Sequence, residues 1–245
     1  MNKVSLKDKL RREVFRLYRH AVRSEHELTY LFWECTLRCN LSCRHCGSDC
    51  LKDALVPDMP LEDFVKALDG IKTKNPVSNM TVCITGGEPL LRLDLEKAGI
   101  AIRQRGFNWC MVSNGLAMTK EKLDSLIKSG LGGMSLSIDG LEEEHTYLRR
   151  NPDSFKAVAH AIDLCVERHS KYPRLFLFDV ITCVHKGNLT ILPKLRDFLI
   201  SKGVQGWRLF TIFPSGRAAK DDLSLSSEEY RQLMDFIVET RSYRT

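Results

Sequence analysis

From residue 30 onward, short apolar runs alternate with amphipathic stretches along the chain. The apolar runs have the length of strands, and the amphipathic stretches repeat their apolar positions at helical spacing. This alternation is typical of successive strand–helix units and a parallel sheet. The pattern predicts six strands, near residues 30–35, 79–85, 107–113, 132–139, 175–184 and 206–212. It predicts helices near residues 60–73, 94–105, 119–129, 154–169, 190–202 and 226–241.

Residue types at the helix boundaries support this assignment. Ser and Thr cap helix N-termini, Pro fits the first turn, and Gly ends helices in a left-handed conformation. The predicted starts carry Pro60 with Glu62, Thr119, and Ser226 with Glu229 as a capping box, and the predicted ends carry Gly130 and Gly203. Six units fall short of the eight that close a TIM barrel, so an open barrel and a doubly wound sheet both fit this pattern.

Residues 6–24 carry a separate amphipathic pattern, with apolar residues at helical spacing and basic residues largely on the other faces. The apolar positions are Leu6, Leu10, Val14, Leu17 and Ala21. Residues 1–25 hold eight lysines and arginines against three acidic residues, a local net charge of +5. We interpret this basic helix as a solvated cap on a sheet edge or barrel end, in preference to a membrane-surface or partner-docking role.

Composition changes this picture little. The 245 residues are 43% hydrophobic and 28% charged, and no apolar run approaches the ~18 residues that cross a bilayer. The sequence predicts two parts, the N-terminal helix in residues 1–28 and a core domain in residues 29–245. With no signal peptide at its start and an odd number of cysteines, nine, the chain is expected to be a reduced, cytoplasmic protein. No nucleic-acid-binding motif accompanies the basic helix.

Five of the nine cysteines fall between Cys35 and Cys50. Only Cys39, Cys43 and Cys46 have the asymmetric spacing C-x3-C-x2-C, which brings three thiolates to one short loop. Three ligands on a four-iron cluster leave one iron open to a small molecule, whereas four cysteines give a closed electron-transfer site.

Two alternatives for these cysteines stay open. A structural zinc ion would need four ligands, which Cys35, His45 or Cys50 could complete. A closed iron–sulfur cluster could take Cys35 or Cys50 as its fourth ligand. The corresponding functions are a zinc-stapled binding module and an electron-transfer protein.

Further polar motifs follow the predicted strands at their carboxyl ends, where parallel sheets bind ligands. The second strand leads into the sequence Thr-Gly-Gly-Glu-Pro, whose glycines allow close approach of the backbone to a ligand. The fourth strand alternates so that its polar side chains share one face. These motifs are Gly86-Gly87-Glu88-Pro89, Ser113-Asn114-Gly115, and Ser135, Ser137 and Asp139.

With the cysteine loop, these motifs resemble the radical S-adenosylmethionine (SAM) enzymes over about residues 30–218, most closely the subgroup that modifies peptides and proteins. The resemblance implies an α/β fold, an open (β/α)6 partial TIM barrel of parallel strands. It implies a 4Fe-4S cluster on Cys39, Cys43 and Cys46. It implies SAM contacts at His45, Gly86, Gly87, Glu88, Pro89, Ser113, Asn114 and Ser137, with Arg149 or Arg150 as a further SAM ligand.

The implied activity is reductive cleavage of SAM to a 5'-deoxyadenosyl radical, which abstracts hydrogen from a peptide or protein substrate. The implied partner is an external electron donor such as flavodoxin or ferredoxin. The sixth strand resembles the apolar adenine-binding strand of that family. We expect His185 to be a strand-end loop residue rather than a base. Arg208 is expected in the barrel lumen, paired with an acid or facing an anionic substrate group.

Overall fold

The computed structural model describes residues 5–25, 28–73 and 76–242. Six strands run through this part of the chain: β1 (Tyr30–Glu34), β2 (Thr81–Thr85), β3 (Asn108–Ser113), β4 (Gly133–Ser137), β5 (Leu177–Val184) and β6 (Trp207–Thr211). The α-helices within it are α1 (Leu6–Glu25), α2 (Leu61–Lys72), α3 (Leu95–Gln104), α4 (Lys120–Lys128), α5 (Glu142–Arg149), α6 (Ser154–Lys171), α7 (Leu192–Ser201) and α8 (Ser227–Ser242).

The strands form one parallel sheet in the order β1-β2-β3-β4-β5-β6. Order in space thus equals order in sequence, as in a TIM barrel and unlike a doubly wound sheet. The sheet curls, because Tyr30 on the first strand and Arg208 on the last line the same cavity. The predicted open partial barrel is therefore confirmed, and β1 and β6 are its two edges among the described strands.

Apolar side chains on the convex face of the sheet form the core with the helices. Val82, Ile84, Met111 and Leu136 are fully buried on successive strands. On β1, Trp33 stacks on Phe64 of α2 with ring centroids 3.7 Å apart. Full burial of one apolar side chain of this size stabilises the fold by about 1.5–3 kcal/mol. Together these buried side chains hold the helices on the sheet.

Polar residues alternate with the core residues and face the concave side of the sheet, which we call the lumen. Ser135 and Ser137 of β4 both line lumen cavities, as their alternation predicts. Arg208 donates to Ser135 Oγ at 2.6 Å and forms an ion pair with Asp179 at 2.6 Å. Of the two expectations for Arg208, the structure shows the ion pair with an acidic residue of the barrel.

The predicted helix boundaries agree closely with the structure. Thr119 accepts a hydrogen bond from the Lys122 amide, and Ser226 and Glu229 form the reciprocal capping box. Gly130 and Gly203 have positive φ angles of 95° and 79° at helix ends. The sequence prediction missed α5, because eight residues with a single fully buried leucine give little helical periodicity.

Helix α1 departs from its predicted role as a cap. Every side chain that the structure describes in α1 is exposed, including those of its apolar stripe. Residues 1–4 and 26–27 of the predicted N-terminal unit lie outside the described residues. Across the described part of the chain, no helix is long and apolar enough to cross a membrane.

Candidate functional site

A cavity at the carboxyl ends of β1 to β4 encloses about 660 Å³ of empty space, including its mouth. The predicted site residues that line it are Cys39, Cys43, His45, Cys46, Gly86, Gly87, Glu88, Ser113, Asn114 and Ser137. Pro89 is buried in the short 3-10 turn that follows Glu88. Residues far apart in sequence therefore converge because parallel strands end on one edge.

The cysteine loop, residues 35–51, is closed by its own backbone. The amide of Cys35 donates to Thr85 O at 2.9 Å, which fixes the start of the loop on β2. The amide of Cys39 donates to Leu51 O at 2.8 Å, so the two ends of the loop lie side by side. This closure brings Cys39, Cys43 and Cys46 to one wall of the cavity.

Gly86 and Gly87 allow this loop to dock on the end of β2. The amide of Gly87 donates to Thr36 O at 2.7 Å, and the amide of Glu88 donates to Arg38 O at 2.8 Å. A Cβ atom on Gly86 would lie 2.3 Å from Thr36 O, and one on Gly87 would lie 2.1 Å from Arg38 O. The close approach that requires glycine is thus to the cysteine loop, whereas the sequence suggested an approach to a ligand.

Glu88 connects the end of β2 to the end of β3. Its side chain is fully buried and accepts hydrogen bonds from Ser113 Oγ and the Asn114 amide at 2.8 Å and from the Leu90 amide at 3.2 Å. Burial raises the pKa of Glu88 above its usual range, against the opposing effect of these bonds. The carboxylate therefore orders the cavity wall and does not project into solvent.

Of the three predicted cluster ligands, two have thiols that do not ionise readily in this environment. Burial raises the pKa of Cys39 to about 11 and also raises that of Cys43, on which Arg149 acts in the opposite direction. Cys46 differs, because a hydrogen bond from Cys50 lowers its pKa to about 5. A bound metal cation would stabilise all three as thiolates.

Arg149 is buried at the cavity wall, and Arg150 is exposed at the end of α5. Arg149 Nε donates to Asp139 Oδ2 at 2.6 Å, and its Nη1 lies 3.7 Å from Cys43 Sγ. The Arg149 guanidinium holds the pKa of Asp139 well below its usual range, despite burial. Of the two predicted arginines, the one that lines the cavity is Arg149.

Arg217 clamps the cysteine loop from the far edge of the sheet. It follows β6, and its guanidinium donates to Cys43 O at 2.8 Å, to Cys50 O at 2.9 Å and to Asp49 at 2.7 Å. Its own amide donates to Cys46 O at 2.9 Å. From the sequence, Gly216-Arg217-Ala218 resembles the Gly-Arg-Ala turn that follows the adenine-binding strand of the family. The bonds from Arg217 to the cysteine loop were not predicted, because its partners lie about 170 positions earlier in the chain.

His45 presents a buried nitrogen without a partner. Its Nδ1 has no hydrogen bond within the described residues, although the ring lines the cavity. Burial lowers the pKa of His45 to about 4, so the ring is neutral at pH 7. Depending on its tautomer, the free nitrogen of a neutral imidazole can accept a hydrogen bond from a bound molecule or donate one to it.

The remaining candidates are Cys35, Cys50 and His185. Cys50 lines the cavity beside Cys46, whereas Cys35 belongs to the main apolar core. His185 is buried at the end of β5, and its Nδ1 accepts from the Gly187 amide at 3.1 Å. The expectation that His185 organises a strand-end loop agrees with this bond.

Comparisons with known proteins point in the same direction as the geometry. The family model described as the radical SAM superfamily matches residues 33–199. An AdoMet-dependent heme synthase of Nitratidesulfovibrio vulgaris is 28% identical over 215 residues, 85% of this chain and 55% of that protein. An Fe-coproporphyrin III synthase of Methanosarcina barkeri is 26% identical over 219 residues, 88% of this chain and 52% of that protein. The chain spans about half the length of these curated relatives.

Solved structures share the fold at lower identity. Streptococcus suis SuiB bound to S-adenosylmethionine superposes with a TM-score of 0.69 at 17% identity, over 98% of this chain and 54% of that one. Native anSMEcpe with bound AdoMet has a TM-score of 0.69 at 21% identity, over 86% of this chain and 60% of that one. Identities this low show a common fold alone.

The Arg217 clamp predicts a local change on substitution. In Arg217→Met, Cys43 O and Cys50 O lose charge-assisted hydrogen bonds, each of which stabilises by about 1.5–3 kcal/mol. Amide hydrogen exchange across residues 43–50 should accelerate by roughly ten- to a hundredfold, with little change in far-UV circular dichroism.

The matched control is Arg105→Met, which removes an arginine that pairs with Asp69 and Ala101 O, away from the loop. Its exchange across residues 43–50 should equal that of the unaltered chain. Equal protection of the loop in both variants would show that Arg217 does not restrain it.

Proposed function

The chain belongs to the radical SAM superfamily, and on that basis we propose that the cavity holds a 4Fe-4S cluster and SAM for hydrogen abstraction from a peptide or protein substrate. One observation carries this proposal: three cysteines of a single loop line a cavity that polar side chains from the ends of β2, β3 and β4 also line. The cysteines suit soft iron, and the polar side chains suit the charged methionyl end of SAM.

The donor set fits a cluster. Cys39, Cys43 and Cys46 would each bind one iron, because the backbone already directs these thiols to one wall. Burial disfavours free thiolates at Cys39 and Cys43, so a bound cation would offset that cost. Arg149 beside Cys43 Sγ would place a positive charge next to a cluster ligand. Hydrogen bonds to cluster sulfurs are among the factors that set reduction potential.

The polar residues that line the cavity fit SAM. Asn114 is held by Asn40 and the Leu116 amide, and Ser137 is half-buried at the end of β4. The free Nδ1 of His45 gives the cavity a further unsatisfied polar atom. We assign these side chains, with the backbone at Gly86 and Gly87, to the amino, carboxylate and ribose groups of SAM.

When bound, the cluster and SAM supply reductive cleavage to methionine and a 5'-deoxyadenosyl radical, the chemistry of the superfamily. The chain's own residues contribute order and shielding. Glu88 positions Asn114, and Arg217 holds the loop closed over the cavity. We further propose that flavodoxin or ferredoxin delivers the electron.

A peptide or protein substrate has two lines of support. The lumen is open between β1 and β6, with Phe32 and Phe210 exposed toward it, which suits an apolar side chain on a large substrate. Among structures with this fold, SuiB binds the precursor peptide SuiA. The ion pair between Arg208 and Asp179 gives no support to the alternative in which Arg208 binds an anionic group of the substrate.

The names of the curated relatives favour a second candidate, an iron-containing tetrapyrrole substrate. The two classes differ in a direct optical test. A tetrapyrrole substrate would shift the absorption band of added iron coproporphyrin on binding, whereas a peptide-specific site would leave that band unchanged.

The ligand assignment predicts the iron content of single variants. After anaerobic reconstitution with iron and sulfide, Cys39→Ala, Cys43→Ala and Cys46→Ala should lose the cluster, measured as iron per chain and visible absorbance. Cys35→Ala and Cys50→Ala should retain the cluster, because both residues lie outside the C-x3-C-x2-C spacing. Cys35 lies in the apolar core, and Cys50 forms a hydrogen bond with the Cys46 thiol. Loss in Cys50→Ala equal to that in Cys43→Ala would favour the closed-cluster electron carrier.

The role of Glu88 predicts a separation of iron from SAM binding. In Glu88→Gln, an amide group replaces one carboxylate oxygen and loses at least one of the bonds to Ser113 and Asn114. SAM affinity measured by calorimetry should fall by roughly ten- to a hundredfold, with iron content retained. Glu96→Gln, which alters an ion pair with Lys122 outside the cavity, is the control. Equal SAM affinity in both variants would remove Glu88 from the SAM site.

A further inference from the structure

The apolar face of α1 is exposed along the whole helix. Leu6, Leu10, Val14 and Leu17 follow one another at spacings of three and four residues, so they form one stripe. Phe15, Tyr18 and Val22 form a second apolar row beside this stripe, with Lys7 and Arg11 between the two rows. The exposed fraction of the seven apolar side chains runs from 46% for Val22 to 84% for Leu6. We call these seven residues the α1 apolar face.

An exposed surface of this kind implies an interaction. Contiguous apolar patches are rare on proteins that act alone, and a surface helix gains most of its stability from packing its apolar face. The described side chains of α1 are exposed instead. The helix therefore gains stability if a lipid bilayer or another protein molecule covers this face.

The charge of α1 selects among the possible occupants. Between Leu6 and Glu25 the sequence holds seven lysines and arginines against three acidic residues. Arg12, Arg16, Arg19 and Arg23 share one face, opposite the leucine stripe, by the same spacing rule. A second copy of α1 would bring two cationic helices together, which disfavours self-association. An anionic surface gains from every one of these charges.

We propose that α1 docks the chain on an anionic lipid bilayer. A basic helix with a wide apolar face lies in the plane of the membrane interface, its apolar side chains among the acyl chains. Long arginine side chains extend past the buried face to the phosphate groups. Phe15 and Tyr18 add aromatic rings of the type that favours the interface. This docking does not depend on the cavity at the carboxyl ends of the strands.

The test is cosedimentation of the full, reconstituted chain with vesicles under anaerobic conditions. Vesicles of phosphatidylcholine mixed with phosphatidylglycerol should pellet most of the protein, and vesicles of phosphatidylcholine alone should pellet little. Raising the salt concentration should release the bound protein, because salt screens the attraction to the headgroups.

Two variants alter the two faces of the helix in turn. Leu10→Glu/Leu17→Glu keeps good helix formers and should lower partitioning by at least about tenfold. Arg12→Gln/Arg19→Gln keeps the apolar face and should bind anionic vesicles several-fold more weakly. Leu55→Glu/Leu93→Glu makes the same chemical change at two exposed loop leucines, 100% and 94% exposed, and should bind like the unaltered chain.

Three results would overturn the proposal. One is failure of the unaltered chain to pellet with anionic vesicles. Another is equal binding by the leucine variants in α1 and in the loops. The third is self-association in sedimentation velocity that Leu10→Glu/Leu17→Glu abolishes while lipid binding is absent, which would assign the face to a second copy.

Discussion

Backbone-to-backbone contact between the cysteine loop and the end of β2 is the constraint on which the site depends. Carbonyls of Thr36 and Arg38 accept hydrogen bonds from the amides of Gly87 and Glu88, at distances that leave no room for a Cβ atom on the glycines. Once the loop is docked, Glu88 lies buried between two strand ends, and its carboxylate organises the start of the next loop. One pair of glycines therefore positions both walls of the cavity.

The curl of the sheet supplies the second requirement. β1 and β6 do not pair with each other, yet the segment after β6 returns to the loop after β1 through Arg217. Gly216 permits this contact, because a Cβ atom there would lie 2.5 Å from Gly47 O. The half-barrel is thus open along its side, and the segment after β6 is joined to the cysteine loop at its carboxyl end, the end at which parallel barrels bind ligands.

Apolar periodicity predicted the six strands and most helix boundaries, and short motifs predicted most of the cavity residues, because both are local signals. The strand order followed only from the family resemblance, since the periodic pattern fits a doubly wound sheet equally well. Sequence analysis missed interactions that depend on distant chain segments. Arg217 reads as a turn residue until the sheet curls, and the choice of Arg149 over Arg150 depends on a buried ion pair with Asp139. The assignment of α1 as a cap was wrong because amphipathicity identifies an apolar face and does not identify what covers it.

The central claim is that this cavity brings an iron–sulfur cluster and SAM together for reductive cleavage. The most direct measurement is anaerobic incubation of the reconstituted chain with dithionite and SAM, followed by chromatography of 5'-deoxyadenosine. The reconstituted chain should form 5'-deoxyadenosine slowly without added substrate, and a variant with alanine at Cys39, Cys43 and Cys46 should form none. A cluster-replete chain that forms no more 5'-deoxyadenosine than this triple variant would contradict the claim.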